Sequence, residues 1–301
     1  MNRILLVGCG YWGKNWYNTI RTSEYELVAV VDPNPVIEVQ TPLFNTIEDV
    51  NVEYTHAIIA TNAELHKDLF KKLKCAPSNV LIEKPCGTDL DREQLYECFP
   101  GYIFLSSPQY KTIKRVIDSN QIGDIVYSRF ERASMGPRIR TDVSIIEDYA
   151  IHDLYLYQAL FNPIDIKKVD KTLHSSFNLP IKEDTLFLNI EADTHVASFF
   201  SSWRHPVKTR KIVIVGTTGS IIWENDSVIL DSSRYNKIEG LDSNRNVGYD
   251  LTINSVALDF NFSLEKSNLH LQLDDFLNGV DRSNNFIQTS KLINKIKGYD
   301  K

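Results

Sequence analysis

The sequence predicts an α/β chain in two parts: a parallel-sheet domain over residues 1–107, then an α+β domain over 108–301 with an open, mostly antiparallel sheet. Three observations predict it. Short continuous apolar runs alternate with segments of helical period in the first part, the pattern of a parallel sheet covered on both faces. From 164 to 231 such runs succeed one another as strands. The segment GTTGS (216–220) supplies turn chemistry between two of them.

The elements follow in order. Residues 3–7 read as a buried strand bounded by Gly8, and a helix follows from about Tyr11, where Trp12, Trp16 and Ile20 recur at helical spacing. ELVAVVD (26–32) and THAIIAT (55–61) are strands. The three prolines between Asp32 and Thr46 leave an irregular crossover where a helix would otherwise sit. Leu65, Leu69 and Leu73 mark one face of a helix that Asn62 is placed to cap. NVLIEKP (79–85) is a strand ended by Pro85, Thr88 with Asp91 suggests a capping box for a helix near 89–98, and YIFLSS (102–107) is a further strand. Beyond 108 come a helix near 109–119, the strand GDIVYSRFERAS and a helix over about 147–160. Strands then run to 231, and helical signals return near 266–298.

Composition narrows the function classes. With 43% apolar and 24% charged residues the chain is globular, and a net charge of −6 argues against bulk nucleic-acid binding. No apolar run approaches the roughly 18 residues a membrane helix needs. Cys9, Cys75, Cys86 and Cys98 show no metal-type spacing, so no metal is expected and a cytoplasmic location fits.

The stretch LLVGCGYWGKNW (5–16) puts strand, G-x-G-x-x-G and helix in succession. Gly8 permits the tight turn, Gly10 lets backbone approach a pyrophosphate, and Gly13 lets helix pack on strand. The helix N-terminus then offers N–H groups and a positive dipole end to phosphate. Asp32 ends the second strand 19 residues after Gly13, where a carboxylate accepts hydrogen bonds from ribose hydroxyls and repels a 2′-phosphate. No Lys or Arg occurs between Arg21 and Lys67, which favours NAD over NADP. The bland alternative is a structural glycine turn in some other α/β domain.

Taken together, GCGYWGKN, AIIATNAELH, LIEKP and EDYAIHDL resemble the Gfo/Idh/MocA oxidoreductase family over roughly the first 160 residues. SWRHPVKTRKIVIVGTTGSIIWEND (202–226) is similar to a later sheet segment of members from bacterial surface-sugar pathways. The resemblance implies an N-terminal Rossmann domain and a C-terminal domain whose sheet mediates homodimer or homotetramer contacts. It implies a catalytic set of Lys84 (from E-K-P), Asp148 and His152, and hydride transfer between nicotinamide and a secondary alcohol or ketone of a sugar, polyol or nucleotide-linked sugar. The residue chemistry agrees. Asp148 and His152 lie i, i+4 on one helix face, suited to proton transfer. Lys84 ends a parallel strand, where ligands bind in such sheets.

The expected cofactor-binding positions are Gly8, Gly10, Tyr11, Trp12, Gly13, Asp32, Thr61, Asn62, His66 and Glu83. For His66 a structural role is equally open, and Thr61 and Asn62 either face the cofactor or serve the helix start. A cis Lys84–Pro85 bond is one option. Arg138 and Arg140, in MGPRIRTD (135–142), suit bidentate binding of a substrate carboxylate or phosphate, against a simple solvated loop. Two rival functions remain at this level: a non-catalytic dinucleotide-binding regulator, and a reductase of non-sugar C=C or C=N bonds.

Overall fold

The computed structural model describes residues 2–86, 95–135, 142–175, 183–232, 234–241, 247–252, 255–258 and 266–298. They form two compact units, Met1–Ser107 with Phe262–Lys301, and Pro108–Asn261.

The first unit is built on a six-stranded sheet. Its strands are β1 (Arg3–Val7), β2 (Glu26–Val31), β3 (Leu43–Phe44), β4 (His56–Ile59), β5 (Val80–Glu83) and β6 (Phe99–Gly101). All pairings are parallel and the order is β3-β2-β1-β4-β5-β6. The order reverses at β1, so a crevice opens beyond the carboxyl ends of β1 and β4, the place where doubly wound sheets bind ligands. Helix α1 (Gly13–Arg21) follows β1, and α2 (His66–Lys72) follows β4 after a short 3-10 turn, Ala63–Leu65. Between β2 and β4 the chain crosses with only the two-residue β3, the irregular connection its prolines require.

Three expectations are corrected here. The edge strand is Phe99–Gly101, while Ile103–Ser106, expected as strand, is a 3-10 turn. Pro100 lacks an N–H and is tolerated because β6 is an edge. The following turn is held by the buried Arg282, which donates to the Tyr102 carbonyl at 3.1 Å and Ser106 Oγ at 2.6 Å. Second, residues 108–301 are not one domain. Helices α5 (Asn268–Leu277) and α6 (Ser283–Lys297) belong to the first unit, because Leu269, Leu273 and Phe276 of α5 close a core with Trp16, Tyr17, Ile20 and Phe99. Third, Asn62 makes no side-chain cap, since the Leu65 N–H it would take goes to the Asn62 carbonyl at 3.0 Å. Most of the helix expected near 89–98 lies outside the described residues.

The second unit contains helix α3 (Pro108–Asp118), strand β7 (Ile125–Ala133) and helix α4 (Ile151–Phe161). Strands β8 (Ile166–His174), β9 (Thr185–Ala192), β10 (Val196–Ser202), β11 (Thr209–Gly216), β12 (Ser220–Glu224) and β13 (Ser227–Asp231) follow. Beyond them come β14 (Arg234–Leu241), β15 (Val247–Thr252) and β16 (Ser255–Ala257). The sheet runs β16-β13-β12-β11-β7-β10-β9-β8, and among the described residues only β7 with β10 pair parallel. Strand β9 shows why: Leu186, Leu188, Ile190 and Ala192 alternate inward against outward Phe187, Asn189 and Glu191. Strands β14 and β15 form a separate hairpin.

Candidate functional site

Within the first unit, the glycine loop has the geometry its sequence requires. Gly8 has φ +95°, and a Cβ there would meet the Ala60 carbonyl oxygen at 2.8 Å. A Cβ on Gly13 would overlap the Gly8 carbonyl oxygen, so α1 packs directly against the end of β1. Around Gly10, by contrast, a Cβ meets nothing within 4 Å among the described residues.

Asp32 closes this loop. Its Oδ2 accepts the Cys9 N–H at 2.6 Å and its Oδ1 the Asn34 N–H at 2.8 Å. A carboxylate has about four acceptor sites, so capacity for two ribose hydroxyls remains. Burial, with the half-buried Asp32 carboxylate adding to it, raises the Cys9 thiol pKa to about 11, which keeps that thiol protonated. The first turn of α1 carries no acidic residue to compete for an anion at its dipole end. Tyr11 (70% exposed) and Trp12 (40% exposed) flank the open side, with the Lys14 ammonium 5.3 Å from the Tyr11 ring centroid. A dinucleotide diphosphate fits these features: an open glycine cradle, an uncontested helix N-terminus and an acid at the end of β2.

The neighbouring strand ends hold the other expected positions. Thr61 and Asn62 follow β4. His66 is fully buried and its Nε2 lies 3.1 Å from the Thr61 carbonyl. A carbonyl only accepts, so Nε2 carries the proton and the imidazole ties the start of α2 to the loop. Glu83 is buried. Its Oε1 accepts the Trp16 indole N–H at 2.7 Å, and Oε2 accepts the Lys84 N–H at 3.2 Å. Burial pushes its carboxyl pKa up, against the lowering effect of Trp12, Trp16 and Lys84. Lys84 is half-buried just past β5, and its bond to Pro85 is cis.

In the second unit, Asp148 and His152 sit at a junction of two helical types. Ile146–Ala150 form a π-helical turn that runs into α4, a local irregularity that recurs at functional sites. Ser144 starts it, with its Oγ 3.1 Å from Glu147 Oε2 and accepting the Glu147 N–H at 3.3 Å. The π turn carries Asp148, whose Oδ2 accepts the Trp203 indole N–H at 3.1 Å. The half-buried His152 lies on α4 with its Nδ1 3.1 Å from the Tyr155 hydroxyl. Next to it Asp153 is wholly buried, and its Oδ1 accepts from Arg132 Nε at 3.1 Å and Nη2 at 2.8 Å. Burial pushes the Asp153 carboxyl pKa up, and Arg132 opposes the shift.

Arg138 and Arg140 lie outside the described residues. Sequence reasoning missed Trp203, Tyr155 and Arg132. Arg132 carried a signal: it shares strand parity with the inward Ser128 and Phe130, and an inward arginine demands a buried acid. Trp203 and Tyr155 carried none, because a partner across 55 residues and an aromatic in an already aromatic helix leave no local trace.

Comparison with known proteins bears on these two halves. Residues 2–98 match the family model described as "Oxidoreductase family, NAD-binding Rossmann fold", and residues 110–222 match "GFO/IDH/MocA C-terminal domain". The chain is similar to inositol 2-dehydrogenase 2 of Saccharopolyspora erythraea, at 25% identity over 267 residues spanning 78% of this chain and 76% of that protein. Among solved structures, UDP-N-acetylglucosamine 3-dehydrogenase GnnA from Acidithiobacillus ferrooxidans superposes with TM-score 0.75 at 17% identity, covering 98% of this chain and 96% of that one. A myo-inositol dehydrogenase from Corynebacterium glutamicum gives TM-score 0.74 at 17% identity, covering 99% and 96% respectively. These two likenesses are of fold.

Proposed function

Because the chain belongs to the Gfo/Idh/MocA family of oxidoreductases with an NAD-binding Rossmann fold, we propose that it transfers hydride between NAD and a secondary alcohol or ketone of a sugar or polyol. The observation that carries the reading is the glycine cradle closed by Asp32. NAD rather than NADP follows from that carboxylate and from the lack of Lys or Arg between Arg21 and Lys67.

Bound nicotinamide would supply the hydride acceptor or donor. The chain supplies proton handling. Lys84 would donate a hydrogen bond to the reacting oxygen, and His152 would take the hydroxyl proton as the carbonyl forms, with Asp148 four residues before it as the charge partner. The Trp16 indole, tethered by Glu83, would hold the helix after the glycine loop in register with the strand that precedes Lys84. Relatives named for inositol and UDP-N-acetylglucosamine favour a ring polyol or nucleotide-linked sugar. Arg138 and Arg140 favour an anionic one. The outward sheet face, with exposed Tyr127, Phe187 and Val196, suits a homodimer or homotetramer. No helix among the described residues is long and apolar enough to cross a membrane. The four free thiols fit the cytoplasm.

The test is turnover. The chain is incubated with NAD or NADP and a panel of inositols, polyols, uronates and nucleotide sugars, and reduced nicotinamide is followed by absorbance. NAD-dependent reduction with one of them is the expected result. Tight NAD binding without turnover on any panel member would favour a regulatory protein instead.

A further inference from the structure

Strand β11 begins with a guanidinium that the proposed reaction leaves unused. Arg210 lies opposite Arg132 in the antiparallel pairing of β11 with β7, so both side chains leave the sheet on one face. That face is the inward one, because Ile212 and Ile214 share the parity of Arg210 and are buried. Helix α4 supplies one carboxylate there, Asp153, whose Oδ1 already accepts from Arg132 Nε at 3.1 Å and Nη2 at 2.8 Å. Arg210 is left over. It is exposed, and among the described residues its guanidinium makes no hydrogen bond and no ion pair. Like charges opposite each other on paired strands are unfavourable. Although Arg210 reaches the surface, burial and then the Arg132 charge lower its pKa, opposed by Tyr149, Asp153 and Asp226. An incoming anion would relieve both effects.

We propose that Arg210, with the Ser134 and Tyr149 hydroxyls on the same face, forms a subsite for the carboxylate or phosphate of an anionic sugar, and that Arg210 selects such a substrate over a neutral one. The proposal rests on the oxidoreductase reading of the Asp148 and His152 site. Ser134 follows β7 with its Oγ 2.7 Å from Tyr149 Oη. The Tyr149 ring meets that of Trp203 edge to face at 6.2 Å, and the Trp203 indole donates to Asp148. Tyr149 and Asp153 each stand one residue after Asp148 and His152, so the two pairs occupy neighbouring faces of one helical segment. An anion at Arg210 is thereby placed beside the proton-handling pair. A guanidinium matches carboxylate and phosphate oxygens with two parallel N–H donors, and a hydroxyl adds a third. A neutral sugar leaves Arg210 solvated, as it already is, so the guanidinium adds affinity for the anion and takes none from the neutral sugar.

The test is binding, with turnover read separately. Glucuronate, glucose 1-phosphate and UDP-N-acetylglucosamine are titrated by calorimetry into the full chain with NAD present, and myo-inositol serves as the neutral probe. The wild type is expected to bind at least one anionic probe, and which one binds tells carboxylate from phosphate. Arg210→Gln should weaken that binding about tenfold or more, while the affinities for NAD and for myo-inositol change less than about twofold. Arg210→Lys keeps the charge without the fork and should recover part of the loss. Added NaCl should weaken anion binding in the wild type and barely change it in Arg210→Gln. Urea melts of both variants should superpose on the wild type, because no partner is lost. No anionic probe bound, an anion affinity unchanged in Arg210→Gln, or equal losses for anionic and neutral probes overturns the subsite. Turnover of neutral polyols alone, with unchanged KM in Arg210→Gln, would keep the oxidoreductase reading and remove the subsite. Arg210-dependent anion binding without turnover of any probe would support the subsite and sink the oxidoreductase reading.

Discussion

The Trp16 indole N–H donates to Glu83 Oε1 at 2.7 Å, across 67 residues of sequence, and so ties the helix after the glycine loop to the strand that ends just before Lys84. Replacing Glu83 separates its charge from its acceptor role. Glu83→Gln keeps an oxygen for one indole and should cost less than about 2 kcal/mol of stability. Glu83→Ala leaves the fully buried Trp16 N–H without an acceptor and should cost roughly 2–4 kcal/mol with the lost packing included. Urea unfolding of both variants checks the order. Glu83→Ala should also weaken NAD binding, read by calorimetry. An Ala variant as stable as the Gln variant would remove the tether from the account.

Asp32 serves the loop and, by proposal, the ribose. Asp32→Asn keeps one acceptor oxygen and loses the charge that repels a 2′-phosphate. Titrations with each coenzyme should show NAD affinity falling about tenfold or more and NADP affinity falling much less, so the preference narrows. Equal losses for both would assign Asp32 to loop structure alone.

Lys84 and His152 are predicted to act on chemistry rather than on coenzyme binding. Lys84→Met and His152→Gln should each lower kcat by about 10²- to 10⁴-fold, while the Kd for NAD, measured separately by fluorescence, changes less than about threefold. Near-normal turnover in either variant would displace that residue from the proton path.

His195 gives a pH signature that does not depend on substrate. It is buried, with Nε2 2.9 Å from Ser128 Oγ and its ring 4.4 Å from that of Phe161, and burial lowers its pKa from 6.5 to about 4. The folded state therefore resists protonation while the unfolded chain accepts it. The contribution of His195 is complete above pH 6.5 and is lost as pH falls from 6.5 toward 4. Between pH 7 and 5 the wild type should lose about 2 kcal/mol more than His195→Gln does. Urea melts of both proteins at the two pH values measure it. Parallel losses would show that His195 titrates as a solvated imidazole.

Much of the architecture was legible because its determinants are local. A Gly at φ +95° and a Gly whose Cβ would strike a carbonyl announce themselves by residue type and spacing, and the inward-outward alternation of β9 is a period of two. The misread segments have non-local causes. YIFLSS has strand composition, yet Arg282 holds the Tyr102 carbonyl and Ser106 from 180 and 176 residues away. The residues beyond 231 gave no strand signal, and they form a hairpin and an edge strand by pairing with neighbours.

The amino-acid sequence by itself determined the dinucleotide-type loop and the all-parallel first sheet, because backbone sterics and side-chain period act within a few residues, and its resemblance to the family is what named Lys84, Asp148 and His152 as candidates. Only the tertiary structure decided that α5 and α6 complete the first unit's core, that Glu83 turns inward to the Trp16 indole, and that Tyr155 and Trp203 hydrogen-bond His152 and Asp148. Buried hydrogen bonds and apolar contacts join groups by position in space, and a chain read in order does not show which positions will meet.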